Sequence, residues 1–112
     1  MPRAHGAVAS RVIGNDTVQA VLADLEHAPI AEPLKAMLAF LRKVTREHER
    51  ITPDDVRALL ALGITRAQID DALKVSFAFN VITRLADTFE FEVRSEAAAD
   101  VGATRLLTRG YK

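Results

Sequence analysis

The sequence predicts an all-α protein organised around one long central helix, and two observations support this. The first is the stretch TRAQIDDALKVSFAFNVITRLADTF, residues 65–89, which contains neither glycine nor proline. Its apolar side chains form two stripes at helical spacing, which consist of Ile69, Leu73, Phe77, Val81 and Leu85, and of Val75, Phe79, Ile82, Ala86 and Phe89. A helix that is apolar nearly all round is expected to be covered by other helices. The second observation is that the rest of the chain divides into shorter helical patterns.

The N-terminal part of the chain predicts two short helices. Residues 1–14 have a helical composition, and Gly14 is expected to end that helix. Asn15 or Asp16 is expected to cap the next helix. Its apolar positions are Val18, Val21, Leu22 and Leu25.

Two further helices are predicted before residue 65. Pro33 suits the first turn of a helix that runs to about residue 47, with a core stripe of Leu34, Met37, Leu38, Leu41 and Val44. Thr52 is expected to cap the next helix, with Pro53 at its first position. Its inward residues are Val56, Leu59, Leu60 and Leu62. Gly63 is expected to end that helix in the left-handed conformation.

The long helix opens with a capping box, in which Thr65 and Gln68 each satisfy a backbone donor of the first turn. After it, residues 90–93 alternate between polar and apolar too briefly to predict a strand. Ser95 is expected to cap a last helix over residues 96–100, with an extension past Gly102 to residue 107 left open. Residues 108–112 are expected to be loose.

Composition narrows the classes of function. The 112 residues fit one domain, and the net charge of zero argues against nucleic-acid or anionic-membrane binding through a basic surface. No apolar run is long enough to span a bilayer, and no signal segment is present, so a cytoplasmic protein is expected. The hydrophobic fraction of 49% is enough for a core and for a surface that self-associates.

One polar constellation lies on the long helix. Asn80, Arg84 and Asp87 are spaced to share one helix face. Polar groups along a largely buried helix must find partners, so a structural network is favoured over a functional pocket. Arg84 and Asp87 would pair directly or across a subunit contact.

The remaining sequence patterns predict no metal binding and no DNA binding. The three histidines, His5, His27 and His48, do not stand at metal-ligand spacing, so no metal site and no cofactor are predicted. Residues 54–74 are superficially similar to a helix-turn-helix, but Asp70 and Asp71 would face the bases, so DNA binding is disfavoured. No small-molecule ligand is identified.

Three motifs carry a family resemblance. They are ITPDDV at residues 51–56, LGITxxQIxDA at 62–72 and FNxxxRxAD at 79–87, and the tail LLxRGY at 106–111 adds to them. In order and spacing they resemble the carboxymuconolactone decarboxylase and alkylhydroperoxidase D-like superfamily, in particular its peroxidase-related branch. The resemblance covers the chain from about His5 onward and implies one alkylhydroperoxidase D-like helical domain over residues 1–112.

In that family a Cys-x-x-Cys-x-x-x-His motif reduces hydroperoxides, and AHGAV at residues 4–8 is similar to its histidine end. The second cysteine would fall at Met1 and the first before it, so the chain is expected to be truncated on its N-terminal side. Since the chain contains no cysteine, neither thiolate attack nor resolution of a sulfenic acid can occur in it.

Three interpretations remain. The first is a cysteine-less, non-catalytic helical homo-oligomer, a dimer, trimer or hexamer by the resemblance. The second is an incomplete chain of a thiol-dependent antioxidant peroxidase. The third is a cysteine-independent enzyme of decarboxylase type in which His5 acts together with Arg84 and Asp87. The first is preferred, with His5, Asn80, Arg84 and Asp87 as the candidate site residues.

Overall fold

The computed structural model describes residues 2–92 and 95–111, and over these residues it is all-helical. The predicted all-α class is therefore confirmed. The helices are α1 (Pro2–Ile13), α2 (Asn15–Ala23), α3 (Glu32–Arg46), α4 (Pro53–Ala61), α5 (Arg66–Thr88) and α6 (Glu96–Arg109), with a 3₁₀ turn at His48–Arg50. The chain divides into two compact units. We call Ile30–Leu85 the middle unit, and Met1–Pro29 with Ala86–Lys112 the terminal unit.

The core of the middle unit is a cluster of five buried apolar residues drawn from α3, α4, α5 and the α4–α5 connection. They are Met37, Phe40, Leu59, Ile64 and Ile69. The predicted stripe of α3 places Met37 here correctly, but it omits Phe40 and includes Leu34, which is 48% exposed. On α4, Leu59 is buried as expected, whereas Leu62 is exposed because it follows the last helical turn.

Two predicted connections of the middle unit are confirmed. Gly63 has a φ of 82°, a conformation that glycine adopts without strain, and it ends the α4 segment. The Thr65–Gln68 capping box is reciprocal, since the Thr65 N–H donates to Gln68 Oε1 at 2.8 Å and the Gln68 N–H donates to Thr65 Oγ1 at 3.1 Å. These bonds satisfy orphan donors at the start of α5.

Helix α5 forms with nearly the predicted bounds, but its apolar side chains are not covered as predicted. Only Ile69 is buried, and Ala72 and Leu73 pack partly against the core of the middle unit. From Val75 onward the large apolar side chains are exposed, including Phe77 at 72%. The expectation of a helix covered on all sides by its own chain is therefore wrong for this second half.

In the terminal unit, α1 packs against α2 and α6. The buried residues are mostly small, namely Val18, Ala28, Ala99 and Ala103. Small side chains let helices approach closely, because the interaxial distance depends on the residues at the contact. Arg11 of α1 donates to Asp100 Oδ1 of α6 at 2.6 Å and to the hydroxyl of Thr104.

Two predictions in the terminal unit are corrected. Neither Asn15 nor Asp16 caps α2, because Gly14 occupies the cap position with a φ of 89° and no side chain caps the helix. Helix α2 also ends at Ala23, so it does not include Leu25.

Helix α6 extends beyond residues 96–100, the part that the sequence predicted most clearly. It continues through Gly102 to Arg109, so the helix includes Thr108 and Arg109, the first two residues of the expected loose tail. Buried Ala99 and Ala103 on either side of Gly102 explain this, since packing overrides the low helix propensity of glycine. Ser95 caps the helix as predicted, accepting from the Ala98 N–H at 3.3 Å. Val93, part of the alternating segment, lies outside the described residues, and residues 90–92 form no strand.

Candidate functional site

The polar residues Asn80 and Arg84 are brought together on α5. Asn80 is half-buried, and its Nδ2 donates to the backbone oxygen of Ser76 at 2.9 Å. Arg84 Nη1 donates to both oxygens of Asn80, at 3.0 Å to the backbone oxygen and 3.1 Å to Oδ1. Both halves of the Asn80 amide are thereby engaged within one helix. These hydrogen bonds fix the orientation of the Asn80 amide, and an amide acts neither as an acid nor as a base.

Asp87, the third residue of the predicted face, is on the last turn of α5, in the terminal unit. Its carboxylate is exposed and forms no hydrogen bond or ion pair with residues 2–92 or 95–111. The direct pairing with Arg84 that the sequence suggested is therefore absent from the described part of the chain. Pairing across a subunit contact stays a prediction.

His5 is half-buried on α1, in the terminal unit, and its Nδ1 is buried. A cavity of about 200 Å³ lies beside this helix, lined by Gly6, Ala7, Ser10, Asn15, Val18, Gln19, Glu96 and Ala99. His5 is not one of the lining residues. Among the described lining residues Glu96 is the one ionisable group, and these residues alone do not supply a pair of groups for general acid–base chemistry.

The sequence reasoning missed an apolar cleft in the middle unit. It has a volume of about 330 Å³, within the range of small-molecule pockets, and it is lined by Pro33, Leu34, Met37, Leu62, Gly63, Ile64, Gln68 and Ala72. Gln68 is the one polar side chain there, and its Oε1 already accepts from Thr65. The signal that could have indicated the cleft is Gly63, where the absence of a side chain leaves open space at the turn. The described lining is otherwise apolar, which suits the binding of an apolar group.

The clearest electrostatic features are structural pairs on the surface. Lys43 Nζ donates to Asp55 Oδ1 at 2.7 Å, and this hydrogen bond is the main cause that lowers the pKa of Asp55. The hydrogen bond to His27 likewise lowers the pKa of Asp24. Each pair joins neighbouring turns or helices, and neither lines a cavity described above.

Among the described residues, no cluster of three or more histidine and carboxylate side chains is arranged to hold a metal ion. Among the same residues, no helix combines the length and hydrophobicity needed to cross a membrane.

Comparison with known proteins adds no relatives. The chain matches no protein-family model, no curated protein and no solved structure. The resemblance to the alkylhydroperoxidase D-like superfamily therefore rests on the sequence motifs alone.

Proposed function

We propose that this chain functions as a helical self-associating protein, a homo-oligomer whose assembly covers its apolar surface, and that it is not a thiol peroxidase. The observation that carries the proposal is the exposure of large apolar side chains along α5. Val75, Phe77 and Leu85 are 58%, 72% and 46% exposed. Patches of this kind on soluble proteins mark interaction sites.

The small core supports the same proposal. Hydrophobic residues make up 49% of the chain, yet among the described residues no large side chain is fully buried. Nine apolar residues of the described part of the chain are buried, and three of these nine are alanines. A short chain buries a limited share of its surface, and association with a partner adds the missing burial.

The proposal includes the family resemblance, with this chain as a cysteine-less member. Peroxide reduction by a dithiol centre needs one thiolate to attack the peroxide and a second thiol to convert the sulfenic acid to a disulfide. With no cysteine in the chain, that cycle has no donor of electrons. The cytoplasmic location expected from the sequence is part of the same proposal.

The test is the mass of the purified protein in solution, measured by sedimentation velocity and light scattering over a range of micromolar concentrations. We expect a particle whose mass is two or more times the 12.3 kDa of one chain. A stable monomer at every concentration would refute self-association. In parallel, peroxide consumption with a dithiol reductant should not exceed the protein-free rate. A rate well above it would refute the non-catalytic part of the proposal.

A further inference from the structure

The second half of α5 has two distinct faces in the middle unit. Polar residues occupy one arc of the helix, namely Ser76, Asn80, Thr83 and Arg84. The opposite arc is apolar, and its members are Val75, Phe77, Ala78, Val81, Ile82 and Leu85. All six are exposed. An amphipathic helix normally turns its apolar arc toward a core, so this arc is available for a partner.

The spacing within this arc indicates what the partner is. Val75, Ala78, Ile82 and Leu85 follow one another at intervals of three, four and three residues. This is the a/d spacing of a coiled-coil seam over residues 75–85, and side chains so spaced can insert into the holes of a facing helix. We call these four residues the α5 seam. The continuous helix that carries it, Arg66–Thr88, contains no proline or glycine that would interrupt such packing.

The exposed area fits a stable dimer. Phe77, Phe79 and Val81 flank the seam, and they are 72%, 37% and 41% exposed. Together, the large side chains of the seam and its flanks expose on the order of 400 Å², if a full phenylalanine side chain offers about 150–250 Å² and an aliphatic one somewhat less. A standard interface buries about 800 Å² per partner, of which somewhat more than half is apolar. The exposed apolar area on this helix is therefore of the size that such an interface needs.

We infer that the occupant is a second copy of this chain, whose α5 packs antiparallel on this one. The inference rests on the homo-oligomer proposed above and specifies its interface. If the two-fold axis crosses the helix pair at the level of Asn80, Ala78 faces Ile82 of the second copy and Val75 faces Leu85 of the second copy. Each layer then combines a smaller with a larger side chain, the arrangement that fills space best.

A parallel pair would be unfavourable for two reasons. Every seam residue would meet its own copy, so Ala78 would face Ala78 and leave a gap. Asp71, which is exposed and lies one helical turn before Val75, would face Asp71 of the second copy. Like charges placed opposite each other are destabilising. In the antiparallel pair the two Asp71 carboxylates lie at opposite ends.

The first experiment compares Ile82→Glu with two controls by sedimentation equilibrium. Val101→Glu removes another exposed branched side chain, 71% exposed on α6. Thr83→Glu adds the same charge to the polar arc of α5. We expect the dissociation constant of Ile82→Glu to rise at least about 30-fold, as for a residue at the centre of an interface, and those of both controls to change less than threefold. Circular dichroism should show unchanged helix content, because Ile82 is exposed in the isolated chain.

The second experiment uses the absence of native cysteine. Ala78→Cys and Ile82→Cys proteins are oxidised separately and as a mixture. We expect a rapid mixed disulfide and slow self-linkage, because the antiparallel register places the two positions opposite each other. Rapid self-linkage of each variant would refute the antiparallel arrangement. If the wild-type protein is an oligomer and Ile82→Glu weakens it no more than the controls do, this interface is refuted but the proposed function is not. If the wild-type protein is a monomer, both are refuted.

Discussion

Replacing Leu59 by alanine tests the core of the middle unit. Leu59 is 3% exposed and belongs to the cluster with Met37, Phe40, Ile64 and Ile69. Truncating a buried leucine costs the lost transfer free energy plus a term for the cavity, about 3–5 kcal/mol in total. Small domains are stable by only about 5–15 kcal/mol. The substitution should therefore remove a large part of the free energy of unfolding.

The matched control is Leu62→Ala, which removes the same atoms at the end of the same helical segment. Leu62 is 47% exposed, so its truncation leaves no closed cavity, and we expect a loss of about 1 kcal/mol. Urea unfolding followed by circular dichroism gives both values. For a slope of about 1.5 kcal/mol per molar urea, the midpoint of Leu59→Ala should fall by about 2 M or more. All proteins must be compared at one protomer concentration, since association adds to apparent stability.

Equal losses for Leu59→Ala and Leu62→Ala would refute the assignment of Leu59 to a packed core. If Leu59→Ala does not fold, Leu59→Val gives a milder version of the same comparison. It removes one methylene, and we expect a loss of about 1 kcal/mol. No loss for the valine variant would contradict close packing around this side chain.

Three further predictions concern polar groups. Thr65→Ala removes half of the α5 capping box and should lower the free energy of unfolding by about 1 kcal/mol, whereas the exposed mid-helix change Thr83→Ala should alter it by less than about 0.5 kcal/mol; equal values in thermal melts would contradict a capping role. Asp55 has a lowered pKa in the folded state because of its hydrogen bond from Lys43, so its stabilising effect is complete above its unfolded pKa near 4 and is lost as the pH falls through the folded value. The difference in stability between wild type and Asp55→Asn should therefore be constant from about pH 5 to 7 and shrink below about pH 4, and a difference that grows on acidification would refute this. Asn80→Ala should cost less than about 1 kcal/mol, since the lost hydrogen bonds are partly offset by the higher helix propensity of alanine. It should also leave the mass of the particle unchanged, and a change in mass would assign Asn80 to the interface.

Most of the local structure follows from residues that are close together in the chain. Gly63 in its left-handed conformation and the Thr65–Gln68 capping box follow from local physical chemistry, because a cap depends on residues within one turn of each other. The helical period of α3 and α5 likewise needs no knowledge of distant residues. Local reasoning was wrong about the cap of α2, where Gly14 takes the position expected of Asn15 or Asp16. It left the extension past Gly102 open, because packing against neighbouring helices can outweigh propensity.

The candidate site was predictable only in part. The spacing of Asn80 and Arg84 correctly places them on one face of α5, since both lie on a single helix. The partners of their side chains depend on which rotamers the surroundings allow. Asn80 donates to Ser76, and Arg84 donates to Asn80 in place of the predicted pairing with Asp87. The cleft beside Gly63 could not be predicted, because its walls come from segments separated in sequence.

Which apolar residues form the core depends on contacts between distant parts of the chain. Ile69 and Phe77 lie on the same predicted stripe of α5, yet one is 5% and the other 72% exposed. Helical periodicity shows that a face is apolar, but burial depends on whether another element reaches that face. The α3 and α4 helices reach Ile69 in the middle unit. The large apolar side chains from Val75 onward stay exposed, and the proposed self-association rests on this exposure.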